Sequence, residues 1–498
     1  MIKIYEKLEK EQKNFWNHCT FAPTDAVEDP WGKRILDQMS NDGAIKTIRI
    51  YTMFEDIVYL DENNELQYDF RVSDLRLDYL IEKGYDILLT YAGIPDCISA
   101  NQFGKSSVCK NKTRYKGKMW NTSPPKDMKL WEEICYEYTR HNVERYGIAR
   151  VSTWSCQCFN EPDHKEFLMR DIPPVDDESI KLRCDVYCEM YKAFVKGIRR
   201  VSDKIPVGGP ALAVKTSFLG YFLSFVRAEK IDLDFISLHN YGTLPAYLNA
   251  GTGRICVDNN IRKHKNFFNV IKEHGFADCP IFVDEWGMSS SGFFNREECP
   301  DLMRRETEVF SAYYAKLIHN FVYSDFKLEK LMICLSGQHE MTEDFSGFRN
   351  FFTLNFFRKP IYNAHVLAAK LGESILCAEN SNENICVIPT KDKQGNYAVL
   401  LTYASEYFEE DIPVIEETIT FEEDIKDKQV TLWCIDKNTT NPYRLYEKLG
   451  IETPNEEQIR LLREEGKLKP VLQEKYNGQI KLTLTPNCTY LITIGEKL

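Results

Sequence analysis

The stretch VSTWSCQCFNEP, residues 151–162, has the pattern of a buried strand that ends on a glutamate. Apolar and β-branched side chains recur in the run Val151–Asn160, and Glu161 and Pro162 follow at once. Proline lacks a backbone N–H and turns the chain away from a strand, which leaves Glu161 exposed at the strand end. The stretch IFVDEW at residues 281–286 repeats the arrangement with Glu285. The two segments therefore predict carboxyl groups at the ends of two different strands.

Strand-like and helix-like segments alternate along most of the chain. The predicted strands are Phe15–Phe21, Ile45–Tyr51, Tyr85–Tyr91, Val151–Asn160, Ile205–Gly209, Phe235–His239, Ile281–Glu285 and Leu331–Leu335. Stretches with helical periodicity between them include Asp74–Lys83, Lys129–Tyr146, Lys181–Val201, Asn260–His274 and Arg304–Tyr323. Alternation of this kind indicates βαβ units and a parallel sheet. Eight units predict an α/β fold, a (β/α)8 TIM barrel over residues 15–371, with functional side chains at the C-terminal strand ends.

The pattern changes after Leu371. The β-rich runs that follow are Asn384–Pro389, Tyr397–Tyr403, Glu417–Phe421, Gln429–Ile435, Gln479–Leu484 and Tyr490–Ile494. Polar turns separate them, and one helical piece, Asn455–Glu465, interrupts them. Short strands with frequent turns predict a β-sandwich accessory domain over residues 372–498. Residues 1–14 are expected to form an N-terminal segment that packs on this domain.

Composition argues against several classes of protein. The net charge of −12 disfavours nucleic acid or an anionic membrane as the partner. No apolar run is long enough to span a bilayer. Residues 1–10 are charged and lack the apolar core of a secretion signal, so we expect a cytoplasmic location and reduced cysteines. The pairs Cys156/Cys158 and Cys184/Cys188 have no second pair at zinc spacing, so no metal or other cofactor is expected.

Paired carboxyl groups at strand ends suit the cleavage of a glycosidic bond. One carboxyl group protonates the leaving oxygen, and the other meets the positive charge that develops at the anomeric carbon. An acid that stays protonated near neutral pH needs a raised pKa, from burial or from a neighbouring carboxylate. Glu285 is expected to supply that neighbouring charge to Glu161. Asn-Glu-Pro in isolation is an ordinary turn, and its pairing with the second motif favours the catalytic interpretation.

Several further blocks occur in a fixed order nearly from end to end. They are Ser123–Pro125, His141–Gly147, Trp154–Asp163, Val207–Pro210, Phe235–Tyr241, Asp284–Trp286 and the C-terminal stretch Ile435–Tyr443 with Leu449–Gly450 and Leu461. Their sequences and order resemble those of glycoside hydrolase family thirty-nine, the family of bacterial β-xylosidases and animal α-L-iduronidases. The C-terminal stretch resembles that of the bacterial xylosidase branch. The resemblance implies a retaining hydrolase with Glu161 as acid/base and Glu285 as nucleophile.

Substrate-binding candidates lie beside the two glutamates. Asn160 resembles the asparagine that hydrogen-bonds the sugar 2-hydroxyl in related barrels. His239 and Tyr241 share a face at the end of the sixth predicted strand, where both can hydrogen-bond and Tyr241 can orient the nucleophile. Glu340 follows the eighth strand, where the xylosidase pattern has a glutamate that contacts sugar hydroxyls. A solvated loop acid is the alternative for Glu340.

The segment around the proposed nucleophile leaves two choices open. Asp284 is a rival to Glu285, because side chains alternate along a strand and only one of the two is expected to point into the site. Glu285 is preferred since it lies nearer the strand end and precedes an aromatic residue. Trp286 is expected either to form an apolar wall for a sugar face or to belong to the core.

The chain departs from its relatives where the terminal sugar would bind. Gln157 replaces an internal glutamate of the family signature, and Phe159 replaces a tryptophan. Tyr51 stands where the family usually has histidine and is expected to fill part of the sugar pocket. Ile333 and Gly337 replace a tryptophan and an aspartate and are expected to open space.

Three functional hypotheses follow. The first is a retaining exo-glycosidase of the β-xylosidase type, whose partner is an oligosaccharide or glycoside. The second is the same chemistry on another glycone, an arabinoside, galactoside, glucoside or uronide, with Arg49 and Arg349 as candidate cations for a uronide. The third is a non-catalytic sugar-binding protein, which retention of both glutamates disfavours. The family resemblance also allows a homo-oligomer.

Overall fold

The computed structural model describes residues 1–22, 24–106, 119–290, 296–336, 341 and 343–495. Within these residues the strands are β1 (Ile2–Glu11), β2 (His18–Phe21), β3 (Thr47–Tyr51), β4 (Val58–Leu60), β5 (Leu66–Tyr68), β6 (Asp86–Tyr91), β7 (Lys105–Ser106), β8 (Trp120–Asn121), β9 (Ser155–Cys158), β10 (Val207–Leu212), β11 (Phe235–Thr243), β12 (Ile281–Ser289), β13 (Leu328–Leu335), β14 (Ser374–Glu379), β15 (Ile385–Lys391), β16 (Tyr397–Tyr403), β17 (Ile415–Phe421), β18 (Gln429–Ile435), β19 (Pro470–Lys475), β20 (Ile480–Leu484) and β21 (Cys488–Gly495). The α-helices in the same residues are α1 (Pro30–Asn41), α2 (Arg71–Glu82), α3 (Met128–Tyr146), α4 (Ile148–Val151), α5 (Asp177–Arg199), α6 (Thr216–Glu229), α7 (Pro245–Asn249), α8 (Asp258–Glu273), α9 (Glu308–Val322), α10 (Pro360–Ala368), α11 (Pro442–Lys448) and α12 (Glu456–Glu465).

Parallel strands close into a barrel in the order β10-β11-β12-β13-β2-β3-β6-β9. Each of the eight predicted strand runs overlaps one of these strands, so the predicted barrel is confirmed. The strand predicted at Val151–Asn160 is shorter at both ends in the structure. Val151 ends helix α4, and the strand itself covers only Ser155–Cys158. The strands β11 and β12 extend beyond their predicted ends, because they continue to pair with each other as far as Thr243 and Ser289.

The barrel interior changes from apolar at the bottom to polar at the mouth. Leu88, Phe235, Phe282 and Met332 form a separate buried cluster, in which the rings of Phe235 and Phe282 stack 4.3 Å apart. Side chains two residues apart on a strand share a face. Along β11 the same face therefore carries Phe235, then Ser237, then His239 nearer the mouth. The strand sequences thus place the ionisable groups at one end of the barrel.

A bulge in β12 changes the direction of its side chains. One step along β11, from Leu238 to His239, matches two steps along β12, from Val283 to Glu285. The neighbouring strand β13 shows the same extra residue in β12. A bulge inserts one residue and interrupts strict alternation. Asp284 and Glu285 consequently both turn into the barrel, and the expectation that only one of them would do so is wrong.

The second sheet has the strand order β19-β18-β21-β16-β15-β14-β1-β17-β20. Strand β1 lies inside this sheet, antiparallel to β14 and parallel to β17. One face, with Ile388 and Leu400, joins the core of the barrel and its helices. The other face forms its own core, in which Val430 near one end of the strand order and Leu482 near the other belong to one cluster. The ends of the sheet therefore face each other, as in the predicted sandwich, while the domain boundaries at 14/15 and 371/372 stay a proposal.

Neither the cysteines nor the helices of the described residues depart from what the sequence predicts. The described cysteines are free, and the Sγ atoms of Cys184 and Cys188 lie 3.8 Å apart in the buried face of α5. Among the helices in the described ranges, none has the length and apolarity needed to cross a membrane.

Candidate active site

Glu161 occupies a strained turn at the C-terminal end of β9. Its φ is 41° and that of Phe159 is 62°, a region that residues other than glycine rarely adopt. The backbone N–H of Glu161 donates to the carbonyl of Ala211 at 3.0 Å, which ties the turn to the end of β10. Strain of this kind persists only where surrounding contacts impose it, and it is common at functional sites.

Two buried charges hold the chain that follows Glu161. The carboxylate of Asp163 accepts the backbone N–H groups of Ala213, Val214 and Lys215, each at 2.8 Å, just before α6 begins. The guanidinium of Arg183 on α5 donates to the carbonyls of Pro162, Leu168, Met169 and Ile172. Burial lowers the pKa of Arg183 to about 10, so it remains charged at neutral pH. These contacts fix the turn that presents Glu161.

Glu285 lies at the mouth of the barrel with hydrogen-bond donors on both carboxylate oxygens. Oε1 accepts from Arg49 Nη1 at 2.9 Å and from the Tyr51 hydroxyl at 3.0 Å. Oε2 accepts from the Tyr241 hydroxyl at 2.7 Å, and Arg349 donates in turn to that hydroxyl. Burial alone would raise the pKa of Glu285, but the positive charges around it and the Tyr241 hydrogen bond lower the pKa to about 2. Glu285 is therefore ionised at neutral pH.

His239 joins the two glutamates. Its Nδ1 lies 2.7 Å from Glu161 Oε1 and 3.6 Å from Glu285 Oε2, and its Nε2 lies 3.7 Å from Asp284 Oδ2. The ring is fully buried, which alone would lower its pKa, yet the charges of Glu285 and Asp284 raise that pKa to about 10. The short Nδ1–Oε1 contact therefore holds a proton between His239 and Glu161.

The two glutamates are close enough to act on one bond. One carboxylate oxygen from each of Glu161 and Glu285 and one nitrogen of His239 lie within 4.8 Å of one another. The side chains of Glu161 and Glu285 are 15% and 10% exposed, so the pair is recessed but open to solvent. A separation of about 5–5.5 Å is typical of retaining glycosidases, whereas inverting enzymes need roughly 6.5–9.5 Å to admit a water molecule.

Arg49 is the centre of the hydrogen-bond network below the site. It is fully buried on β3 and donates from Nη2 to Asn160 Oδ1 at 2.8 Å and from Nε to Gln157 Oε1 at 2.9 Å. Its Nε also lies 3.1 Å from Asp284 Oδ2. From the sequence alone, Arg49 is a candidate only for binding a uronide. Its position could have indicated a role in the site, because Arg49 shares a strand face with Tyr51 near the end of a barrel strand.

Some of the predicted binding residues lie in the site, and one of them lies in the core. Asn160 and Tyr51 both belong to the site, since the Tyr51 hydroxyl lies 3.2 Å from Asn160 Oδ1 as well as beside Glu285. Trp286 is fully buried and stacks on Tyr314 with ring centroids 5.6 Å apart. The structure therefore corrects the expectation that Trp286 forms a wall for the sugar and favours the core alternative.

Contacts on the eighth barrel strand also differ from the sequence expectation. Ile333 is 2% exposed and pairs in register with Trp286, so it lies in the layer between barrel and helices and does not open the pocket. The next residue, Cys334, points to the barrel interior, where burial raises the pKa of its thiol to about 12 beside Arg349 and Glu285. Glu340 and Gly337 lie outside the described residues.

A parallel barrel with two carboxyl groups at its C-terminal mouth has the arrangement of a glycoside hydrolase. The sequence pattern described as "Glycosyl hydrolases family 39" matches residues 1–479. The chain belongs to this family, and the resemblance found in its motifs is confirmed.

Named relatives carry two activities. A β-xylosidase of Caldicellulosiruptor saccharolyticus is 26% identical over 247 residues, which cover 49% of this chain and 46% of that protein. The human α-L-iduronidase is 27% identical over 167 residues, 31% of this chain and 23% of that protein. The chain thus spans about half the length of the β-xylosidase that it matches and about a quarter of the length of the iduronidase. A monomeric β-xylosidase from Caulobacter crescentus CB15 has a similar structure, with a TM-score of 0.83, 17% identity and 99% coverage of both chains.

Proposed function

We propose that the chain is a retaining exo-glycosidase of the β-xylosidase type, which hydrolyses a terminal glycosidic bond by double displacement. The observation that carries the proposal is the approach of Glu161 and Glu285 oxygens to within 4.8 Å at the barrel mouth. That distance is close to the spacing of retaining enzymes, in which a carboxylate attacks the sugar directly, and shorter than the spacing of inverting enzymes.

In the first step, a Glu285 oxygen bonds to the anomeric carbon as the glycosidic bond breaks. Oε1 already accepts two donors, whereas Oε2 accepts one and lies on the His239 side. Oε2 is therefore the attacking oxygen, and the proton held between Glu161 and His239 passes to the leaving oxygen. In the second step, Glu161 takes a proton from water, whose oxygen displaces Glu285 from the sugar.

Asn160 supports the same reaction from the sugar side. Its Oδ1 is occupied by Arg49 and by the Tyr51 hydroxyl. The amide therefore presents its N–H donors elsewhere, in keeping with a hydrogen bond to the sugar 2-hydroxyl. Such a bond strengthens as the ring approaches an oxocarbenium ion, so it stabilises the transition state more than the substrate.

The substrate remains a choice among glycones. Similarity to β-xylosidases favours a β-xyloside. A uronide is the second candidate because the iduronidases also match. Arg49 is fully buried and bonded to Glu285, Asn160 and Gln157, so we propose Arg349, which also donates to the Tyr241 hydroxyl, as the candidate cation for a sugar carboxylate.

A panel of aryl glycosides tests the proposal. It should contain the β-xyloside, α-L-arabinoside, β-galactoside, β-glucoside and α-L-iduronide, all with one leaving group. Turnover of at least one member with retention of anomeric configuration, followed by NMR, is expected. Binding of glycosides without turnover of any member would support a non-catalytic sugar-binding protein instead. A cytoplasmic location and a homo-oligomer stay predictions.

Removing the Tyr241 hydroxyl tests how Glu285 is held ionised. In Tyr241→Phe, Glu285 loses a donor that lowers its pKa, so that pKa rises from about 2 and the acid limb of kcat/KM moves to higher pH. A hydrogen bond to a charged group contributes about 1.5–3 kcal/mol, which predicts a loss of kcat of about 10–100-fold. The control is Tyr59→Phe, which changes an exposed tyrosine on β4. An unchanged pH profile in Tyr241→Phe would count against this role.

Tyr51 is expected to set the preference between glycones. Its ring packs edge-on against Trp120 with centroids 6.1 Å apart, and its hydroxyl contacts Glu285 and Asn160. Tyr51→His should raise the ratio of kcat/KM for aryl β-xyloside over the other panel members by about 10-fold, since pocket contacts of this size are worth roughly 1–3 kcal/mol. Tyr59→His is the control. A ratio in Tyr51→His that equals the wild-type ratio would refute a role for Tyr51 in selecting against xylosides.

A further inference from the structure

Gln157 occupies the middle of the barrel with every hydrogen-bonding position of its amide engaged. Its Oε1 accepts from Arg49 Nε at 2.9 Å and from the Thr90 hydroxyl at 2.6 Å. Its Nε2 donates to Asp284 Oδ2 and to the Ser237 hydroxyl, each at 2.7 Å. A side-chain amide has two acceptor lone pairs and two N–H donors, so this set is complete. The side chain is fully buried.

These contacts connect Gln157 to the nucleophile through Arg49. The guanidinium touches Gln157 and Asp284 on one side and Glu285 on the other. A rotation of the guanidinium toward a stronger acceptor at position 157 would therefore withdraw it from Glu285. Buried charges are costly unless they are paired. Turning one donor in this network therefore changes how Arg49, Asp284 and Glu285 are paired.

A neutral residue at 157 also sets the charge balance of the barrel interior. The Asp284 and Glu285 carboxylates face the Arg49 guanidinium and the His239 ring here, and Glu161 and Arg349 lie beside them. A carboxylate at 157 would add a further negative charge and face Asp284 Oδ2 at hydrogen-bond distance. Two carboxylates this close repel each other, so the pair would take up a shared proton at a higher pH than an isolated carboxyl group would.

We propose that Gln157 is a positioning residue for the reaction: its uncharged amide bridges Arg49 and Asp284 and so keeps the Arg49 guanidinium on Glu285. This inference rests on the proposed function. Position 157 is a glutamate in the family signature and a glutamine in this chain. We therefore expect this chain to need an amide at position 157 that pairs with Asp284.

The first test is Gln157→Glu. Both donors to Asp284 and Ser237 are lost, and the new carboxylate competes with Glu285 for Arg49. We expect kcat at neutral pH to fall at least about 10-fold with little change in KM, since one hydrogen bond to a charged group is worth about 1.5–3 kcal/mol. Activity should recover in part as the pH falls, because a proton shared between the new carboxyl group and Asp284 restores a donor. Gln473→Glu, at an exposed position on β19, is the matched control.

The second test exchanges donor and acceptor between the two positions. Asp284→Asn alone should lower kcat, because Arg49 loses a charged partner. The double variant Gln157→Glu with Asp284→Asn keeps the charge count and lets the new amide donate to the new carboxylate, while the Ser237 hydroxyl rotates to donate as well. We expect its kcat and its pH profile to return to within a few fold of the wild type, and its melting temperature to exceed that of either single variant.

The outcomes separate this inference from the proposed function. An inactive wild type across the glycoside panel would refute the function, and the melting temperatures of the four proteins would still report whether Gln157 and Asp284 are paired. An active wild type with Gln157→Glu indistinguishable from Gln473→Glu in kcat and pH profile would overturn the inference. Failure of the double variant to recover relative to Gln157→Glu would overturn it equally.

Discussion

We expect that replacing Glu285 by Ala or Gln will abolish turnover of every glycoside, with a fall in kcat of at least about 10⁴-fold, the scale seen when a catalytic nucleophile is removed. The loss is expected whatever the leaving group, because no atom remains to bond to the anomeric carbon. Steady-state kinetics on aryl glycosides with leaving groups of different pKa would measure it. The fold should survive in Glu285→Gln, since the amide keeps an oxygen for Arg49, Tyr51 or Tyr241.

Azide provides the control for this variant. In Glu285→Ala the space of the carboxylate admits an external nucleophile, and a β-glycoside should yield the α-glycosyl azide by a single displacement. The matched variant Glu62→Ala, at an exposed position, should keep full activity. Residual turnover in Glu285→Ala that follows the wild-type dependence on leaving group would exclude Glu285 as the nucleophile.

Replacing Glu161 by Ala has an effect that depends on the leaving group. General acid catalysis contributes about 10²–10⁴-fold, so poor leaving groups such as alkyl or sugar alcohols should lose that much in rate. Dinitrophenyl glycosides need little protonation and should form the glycosyl-enzyme at nearly the wild-type rate, after which the intermediate accumulates. Pre-steady-state bursts and mass spectrometry of the protein would detect it.

The product with azide distinguishes the two glutamates. Azide should attack the glycosyl-enzyme of Glu161→Ala and release the β-glycosyl azide, the opposite anomer to that from Glu285→Ala. An identical dependence on leaving-group pKa in both variants would mean that the assigned roles are wrong.

Much of this molecule could be predicted from local sequence patterns. Each barrel strand is a short apolar run between helical stretches, and burial of such runs on both faces is what a parallel sheet requires. Glu161 and Glu285 could be proposed because each comes at the end of a short apolar run, and parallel strands of a barrel bring their C-terminal ends to one mouth. His239 and Tyr241 followed from the two-residue repeat along one strand.

Other features depend on contacts between distant segments. Alternation predicted that Asp284 and Glu285 point in opposite directions, but the bulge in β12 turns both inward. A bulge depends on how two neighbouring strands pair, so the strand sequence alone does not specify it. Trp286 illustrates the same limit, since an aromatic residue at a strand end suits either a sugar or a core, and only packing on Tyr314 decides between them.

The sequence of this chain was sufficient for its family, its barrel and its two candidate catalytic glutamates, because repeated local patterns and residue spacing carry that information. The tertiary structure alone decided the electrostatics of the site. Arg49, Gln157 and Asp284 lie on three different strands and contact one another only when the barrel closes. Their effect on Glu285 depends on distances of about 3 Å in a buried interior, where charges interact far more strongly than in water.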